Sequence, residues 1–285
     1  VRVLVTGAAG QVGSEIVRQL ERRSGRPRDR LEVVAADHTR LDVSSRDQVI
    51  AALSGLGPDV VFHLAAMTDV DGCEEDVRQA FAVNSLGCRH LAEASRMSGA
   101  HLVSISTDYV FDGLLKRPYV EWDEPKPLSV YGLSKLGGER ELGPSATVVR
   151  TAWLLSERPD NIVQRILSKA RGSSSPLRFV DDRKGSPTVA SELAGKLIEL
   201  GLGRRPGTFH VSGGGEATWF DLARQVLASA GLDPERVEPV KGAELKQPAE
   251  RPANSVLQNA ALEASGSELL PDWHDSLERL VSSLP

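Results

Sequence analysis

Hydrophobic and polar positions follow two periods along this chain, and the change from one to the other recurs. Residues 1–6 (VRVLVT) are a short β-branched run, read as a buried parallel strand. The run leads into Gly7-Ala8-Ala9-Gly10-Gln11-Val12-Gly13, after which Ser14 is placed to cap a helix carrying Ile16, Val17 and Leu20 on one side. A polar loop is expected over 24–30 and a second strand over 31–36 (LEVVAA), ending at Asp37. A helix over 45–54 is stopped by Gly57-Pro58, and 59–64 (DVVFHL) is the third strand. Residues 72–97 predict one long helix with Val77, Phe81, Asn84, Cys88 and Leu91 on a single stripe. Residues 101–106 (HLVSIS) form the fourth strand. The proline- and acid-rich stretch 116–128 is expected as a loop over the site. Ser129 then caps a helix carrying Tyr131 and Lys135, and 147–155 is the next strand and its exit.

Strands alternating with helices predict an α/β fold, a Rossmann-type doubly wound parallel sheet. Beyond residue 155 the alternation becomes irregular. Helices are expected over 161–170, 191–200 and 218–230, the last capped near Thr218, with strands over 177–180, 208–211 and 237–240. A proline-marked loop over 248–257 carries Arg251, Asn254 and Ser255, and two short helices follow. The expected division is a dinucleotide-binding domain over 1–155 and a smaller C-terminal substrate-binding lobe over 156–285, with segments of the latter returning to the sheet.

Composition narrows the function classes. The 285 residues are 40% hydrophobic and 26% charged, the profile of an ordinary globular protein. A net charge of −5 argues against nucleic acid as the main partner. No apolar run approaches the ~18 residues of a membrane helix, and with a strand at the opening no leader to remove is expected. Cys73 and Cys88 are too few for a disulfide framework, so a reduced, cytoplasmic setting is expected, with both as packing residues. The six histidines show no metal-ligand spacing, and His63, in an apolar strand, reads as a core residue.

Strand, glycine turn, helix is the context that a dinucleotide fingerprint requires. Gly7, Gly10 and Gly13 let backbone N–H groups approach a pyrophosphate at the helix N-terminus. Asp37, closing the second strand, is placed for the adenine ribose hydroxyls, which favours NADH; nearby Arg40 could instead accept a 2′-phosphate of NADPH. Asp42 and Val43 could contact the adenine. Ala65 and Ala66, directly after the third strand, allow close approach of a flat ligand. Asn84, a polar side chain on a buried stripe, needs a partner. Tyr131 and Lys135 share a helix face, where the lysine ammonium is expected to lower the tyrosine pKa towards operating pH. Gly137 and Gly138 in that helix imply tight packing.

The stretches GAAGQVGSE at 7–15, AAMTDVDGCE at 65–74, STDYVFDG at 106–113, PLSVYGLSKLGGE at 127–139, RTAW at 150–153, GSPT at 185–188 and RPANS at 251–255 span nearly the whole chain. On them the chain resembles the extended short-chain dehydrogenase/reductases, in particular those that reduce a dTDP-linked keto sugar. The resemblance implies that NADPH or NADH reduces the C4 keto group of dTDP-4-dehydro-β-L-rhamnose, giving dTDP-L-rhamnose. Tyr131 would donate the proton, Lys135 would lower its pKa and hold the nicotinamide ribose, and Thr107 would polarise the carbonyl. Gly10, Gln11 and Val12 would contact the pyrophosphate, and Ala65, Ala66 and Thr68 would line the cofactor. Asp108 and Trp153 would touch the substrate. The resemblance further implies a monomer or homodimer and, in some members, a metal such as Mg²⁺ bound by surface acids. Glu15 matches one such acid, and no metal ligand is assigned. Met67 stands where the family usually has His or Tyr, and Arg183 where it usually has Gln.

Two other readings compete. One is a dehydratase or epimerase of the same fold, or a 4-ketoreductase for another nucleotide sugar. A dehydratase typically carries Thr-Asp-Glu, whereas this chain has Thr107-Asp108-Tyr109. The other is a non-catalytic subunit resembling the regulatory subunit of methionine adenosyltransferase.

Overall fold

The computed structural model describes residues 1–24 and 31–284; most of the polar loop expected over 24–30 lies outside them. Five strands and six helices build the first half in order: β1 (Arg2–Thr6), α1 (Gln11–Ser24), β2 (Glu32–Ala36), α2 (Arg46–Leu56), β3 (Val60–His63), α3 (Val70–Glu75), α4 (Val77–Phe81), α5 (Gly87–Ser98), β4 (His101–Thr107), α6 (Val130–Glu141) and β5 (Thr147–Thr151). The second half adds β6 (Leu154–Leu155), α7 (Ile162–Gly172), β7 (Leu177–Val180), β8 (Lys184–Gly185), β9 (Thr188–Val189), α8 (Ala190–Leu202) and β10 (Gly207–His210). It ends with β11 (Ala217–Thr218), α9 (Trp219–Ser229), β12 (Val237–Val240), α10 (Ala260–Ala264) and α11 (Trp273–Ser283).

Six parallel strands form the central sheet in the order β10-β5-β4-β3-β1-β2. After α2 the chain crosses to the far side of β1, so the strand order reverses between β1 and β3. Ligands of open α/β sheets bind at the carboxyl ends of the strands beside such a reversal. Side chains alternate across the pleat: Val3, Val5, Phe62 and Val103 pack with α1 and α8 on one face, Leu4, Val61 and Leu102 with α2 and α5 on the other. A separate apolar cluster joins α7, α9, α11, β7 and β12 in the second half. Among the described residues no helix is long and apolar enough to cross a membrane. Both cysteines are buried free thiols, and His63 is a buried core residue.

Three expectations need correction. Ser14 is not a cap: α1 begins at Gln11, and the Ser14 hydroxyl donates back to Gln11 O at 3.2 Å. The long helix over 72–97 is broken. Asp76 leaves helical geometry and caps α4 through Gln79 N, and Ala82–Leu86 winds as a π-turn before α5. An aspartate that bonds to nearby backbone N–H groups competes with the helix ladder. Val77 consequently turns to solvent, away from the stripe. The loop over 116–128 does not cover the cleft described below. Tyr119 stacks on Phe111 with ring centroids 4.2 Å apart and bonds to Val256 O at 2.8 Å, and Glu121 Oε1 accepts from His210 N and Ala261 N. These partners draw the loop over the β5–β10 side instead.

Candidate active site

A cleft of about 1020 Å³ runs along the carboxyl ends of β1, β3, β4 and β5, and every residue predicted above for cofactor or substrate contact except Arg40 lines it. Its first wall is the glycine turn. Gly7 has φ +64°, and a Cβ there would lie 2.5 Å from Ala65 N. A Cβ on Gly13 would lie 2.2 Å from Gly7 O, so that glycine seats α1 against the turn. The first-turn N–H groups of α1 have no intrahelical acceptor, and the first turn carries no acid. That end of the cleft suits an anion such as a dinucleotide pyrophosphate, which Gly10, Gln11 and Val12 would hold. Asp37 Oδ1 accepts from Thr39 N and Oγ1, and these bonds hold its carboxyl below the usual range. Arg40 turns away, donating to Ala35 O at 3.3 Å.

Asn84 finds its partners in the opposite wall. Its side chain accepts from Met67 N at 2.9 Å, donates to Met67 O at 3.0 Å, and donates to Ser134 Oγ at 2.9 Å. It thus joins the Ala65–Thr68 segment to α6 and makes Met67 a backbone anchor. Ser85 Oγ donates to Ser134 O at 2.7 Å. The contact is close because α6 presents glycine: a Cβ on Gly138 would lie 2.2 Å from Asn84 O. The π-turn places Asn84 and Ser85 together against α6.

Thr107, Asp108, Tyr131 and Lys135 meet at the floor. Ser129 caps α6 by accepting from Gly132 N, and Glu74 of α3 accepts from Val130 N at 2.8 Å. The Lys135 ammonium donates to Ile105 O at 2.8 Å. Burial lowers its pKa, against the raising effects of Cys88 and Glu139. Tyr131 faces the cleft edge-on to Tyr109, with centroids 5.8 Å apart. Burial raises its pKa, with only Thr107 acting against it. The expected lowering by Lys135 is therefore corrected: burial dominates, and the phenol is held as an acid. Asp108 is 3% exposed, and burial pushes its carboxyl up to about 7. Behind the floor, Arg150 and Glu139 form a buried ion pair at 2.7 Å, joined by Ser106. The pair fixes α6 to β4 and β5.

The second half of the chain gives the expected residues Trp153 and Gln11 partners that local patterns did not indicate. Trp153 adopts φ +41° and stacks on Trp219 with centroids 3.9 Å apart. Gly185 makes room for it, since a Cβ there would lie 2.3 Å from the Trp153 ring. Gln11 Oε1 accepts from Ser156 Oγ and Asn161 Nδ2, each at 2.8 Å. Arg158 donates to Ala9 O at 2.7 Å and lines the cleft with Trp219, His38 and Gln79. A signal existed only for Trp219, directly after the Thr218 cap. Glu15 pairs with Arg18, and the described residues contain no group of three or more His, Cys, Asp or Glu that could hold a metal ion.

The family model described as the RmlD substrate binding domain matches residues 1–285. The chain is 39% identical over 284 residues to a protein of Streptomyces antibioticus named a probable dTDP-4,6-dihydroxy-2-methyloxan-3-one 4-ketoreductase, covering 97% of this chain and 93% of that one. It is 38% identical over 292 residues to a dTDP-4-dehydrorhamnose reductase of Streptomyces griseus, covering 99% and 94%. Among solved structures it is similar to the dTDP-4-dehydrorhamnose reductase of Bacillus anthracis in complex with NADP, at TM-score 0.92 and 33% identity, with 98% of each chain covered.

Proposed function

The chain belongs to the RmlD substrate binding domain family, and from that premise we propose that it reduces the C4 keto group of dTDP-4-dehydro-β-L-rhamnose to dTDP-L-rhamnose. The observation that carries this reading is one cleft that begins at the glycine turn and ends at Thr107, Tyr131 and Lys135. Reduced nicotinamide supplies the hydride when bound. Tyr131, held protonated by burial, gives a proton to the carbonyl oxygen as it gains charge. Lys135, anchored on Ile105 O, would hold the nicotinamide ribose. Asp37 stands for the adenosine ribose, and the stacked Trp153 and Trp219 offer an apolar surface to the sugar. Residues 1–155 then carry the cofactor, and the lobe from 156 closes the sugar end. The Bacillus anthracis relative binds NADP, while the ionised Asp37 argues that NADH also serves.

A second keto sugar is favoured by the Streptomyces antibioticus relative, whose name gives a different dTDP-linked ketone. Purified protein given NADPH or NADH with dTDP-4-dehydro-L-rhamnose should consume cofactor and form dTDP-L-rhamnose, identified by NMR. Cofactor binding without turnover would reject this substrate and move the reading to the second ketone.

A further inference from the structure

The Thr107 hydroxyl has three neighbours and one proton. It donates to Asp108 Oδ1 at 3.0 Å, accepts from Tyr109 N at 3.2 Å, and has the Tyr131 phenol against it. A hydroxyl offers one donor and two acceptor sites. While Asp108 is a carboxylate, the Thr107 proton is committed to it, and the second lone pair is open to the Tyr131 proton. The phenol then points at Thr107 and away from a keto oxygen in the cleft. Asp108 Oδ2 is buried with no hydrogen-bond partner, a costly place for half of an ionised carboxylate. Ser255 and Thr107 act against burial on this carboxyl and lower its pKa, while the Ser255 hydroxyl also donates to Lys184 O at 3.3 Å.

We propose that Asp108 works as a neutral carboxylic acid whose proton, given to Thr107 Oγ1, reverses the hydrogen bonds so that Tyr131 presents its own proton to the cleft. This rests on the reading of the chain as a keto-sugar reductase. With that proton in place, Asp108 and Tyr109 N fill both lone pairs of Thr107. The Thr107 proton turns to Tyr131 Oη, and not to the carbonyl that Thr107 was expected to polarise, and the phenol proton faces the keto oxygen. As hydride arrives at the carbonyl carbon, the tyrosine O–H bond breaks and the sugar O–H bond forms. The phenolate left behind keeps the Thr107 donor and takes a proton from water once product leaves. Asp108 is a positioning residue in this scheme, acting through Thr107.

The groups around the carboxyl leave its titration free to be read. Tyr109, from the same turn, is pushed up to about 12 by burial, and Cys73 of α3 to about 11. Tyr131 of α6 is raised as well, and Lys135 lies one turn beyond it. The cations Arg251 and Arg183, from loops of the second half, act on Tyr109. Arg251 is also paired with Asp71 at 2.8 Å.

The test is the pH dependence of single-turnover NADPH oxidation with dTDP-4-dehydro-L-rhamnose. In the unaltered protein the rate should fall by about tenfold per pH unit above the Asp108 pKa, because the active form is the protonated one. In Asp108→Asn, whose amide donates to Thr107 at every pH, the turnover that remains should lack that limb. An Asn variant that retains the limb overturns the proposal. Infrared difference spectra of the cofactor-bound protein between acid and alkaline pH need neither substrate nor a folded Asn variant. A carboxylic-acid band lost with rising pH and shifted by Thr107→Val supports the proposal, and its absence overturns it. Absence of turnover in the unaltered protein would count against the reductase reading, and the infrared result would still decide the state of Asp108.

Discussion

At the scale of single residues, the reactive groups owe their properties to burial more than to spacing. Four residues separate Tyr131 from Lys135, but the ammonium is bonded to Ile105 O and desolvation holds the phenol protonated. For a reduction this is the useful state, because the group must give a proton. Tyr131→Phe should lower turnover by about 10²–10⁴-fold while leaving the NADPH dissociation constant, read by nucleotide fluorescence, unchanged. A parallel loss of cofactor binding would give Tyr131 a structural role instead. His63 shows the same physics without a catalytic consequence. Burial pushes it down to about 3, so it stays neutral while it bonds to Thr6 Oγ1 at 2.9 Å.

At the scale of elements, the contact of α6 with the π-turn sets the position of the floor. Two glycines in a helix interior cost about 1 kcal/mol each relative to alanine, and the close approach of Asn84 O and Ser85 Oγ explains why they stand there. Gly138→Ala should destabilise the protein by about 1–3 kcal/mol in urea unfolding and reduce turnover, because Lys135 and Tyr131 ride on the same helix. Gly55→Ala in α2, where an added Cβ meets nothing within 4 Å, should be neutral or stabilising by up to about 1 kcal/mol. Equal effects at the two sites would remove the packing explanation. The break in the predicted long helix belongs here too. The periodicity of residues 72–97 is helical throughout, yet Asp76 bonds to Gln79 N and Asn84 is held by Met67 and Ser134. Those polar bonds outweigh continuation of a straight helix.

Across the whole molecule, the two halves of the chain meet at the glycine turn. Asn161 does three things there: it caps α7 through Val163 N, donates to Leu154 O, and donates to Gln11 Oε1. Asn161→Ala should therefore cost about 1 kcal/mol of stability through the lost cap and also raise KM for NADPH, with kcat less affected. A stability loss with unchanged KM would show that the link to Gln11 does not position the cofactor end. The Trp153–Trp219 stack is a second such meeting, placed where β5 leaves the sheet and α9 begins.

The alternation of short apolar runs with helical periods determined the parallel sheet and its flanking helices, because those signals reside in consecutive residues. The glycine spacing and the Tyr131–Lys135 pair likewise marked both ends of the cleft, since close backbone approach and a shared helix face are local requirements. Only the tertiary structure decided which side of β1 each strand takes, where the helix over 72–97 breaks, and which residues of the second half reach Gln11 and Trp153. It also decided the hydrogen bonds around Thr107 and Asp108. The charge state of a buried carboxyl depends on what surrounds it on every side, and those neighbours include Tyr131 of α6 and Ser255 from a loop more than a hundred residues away along the chain.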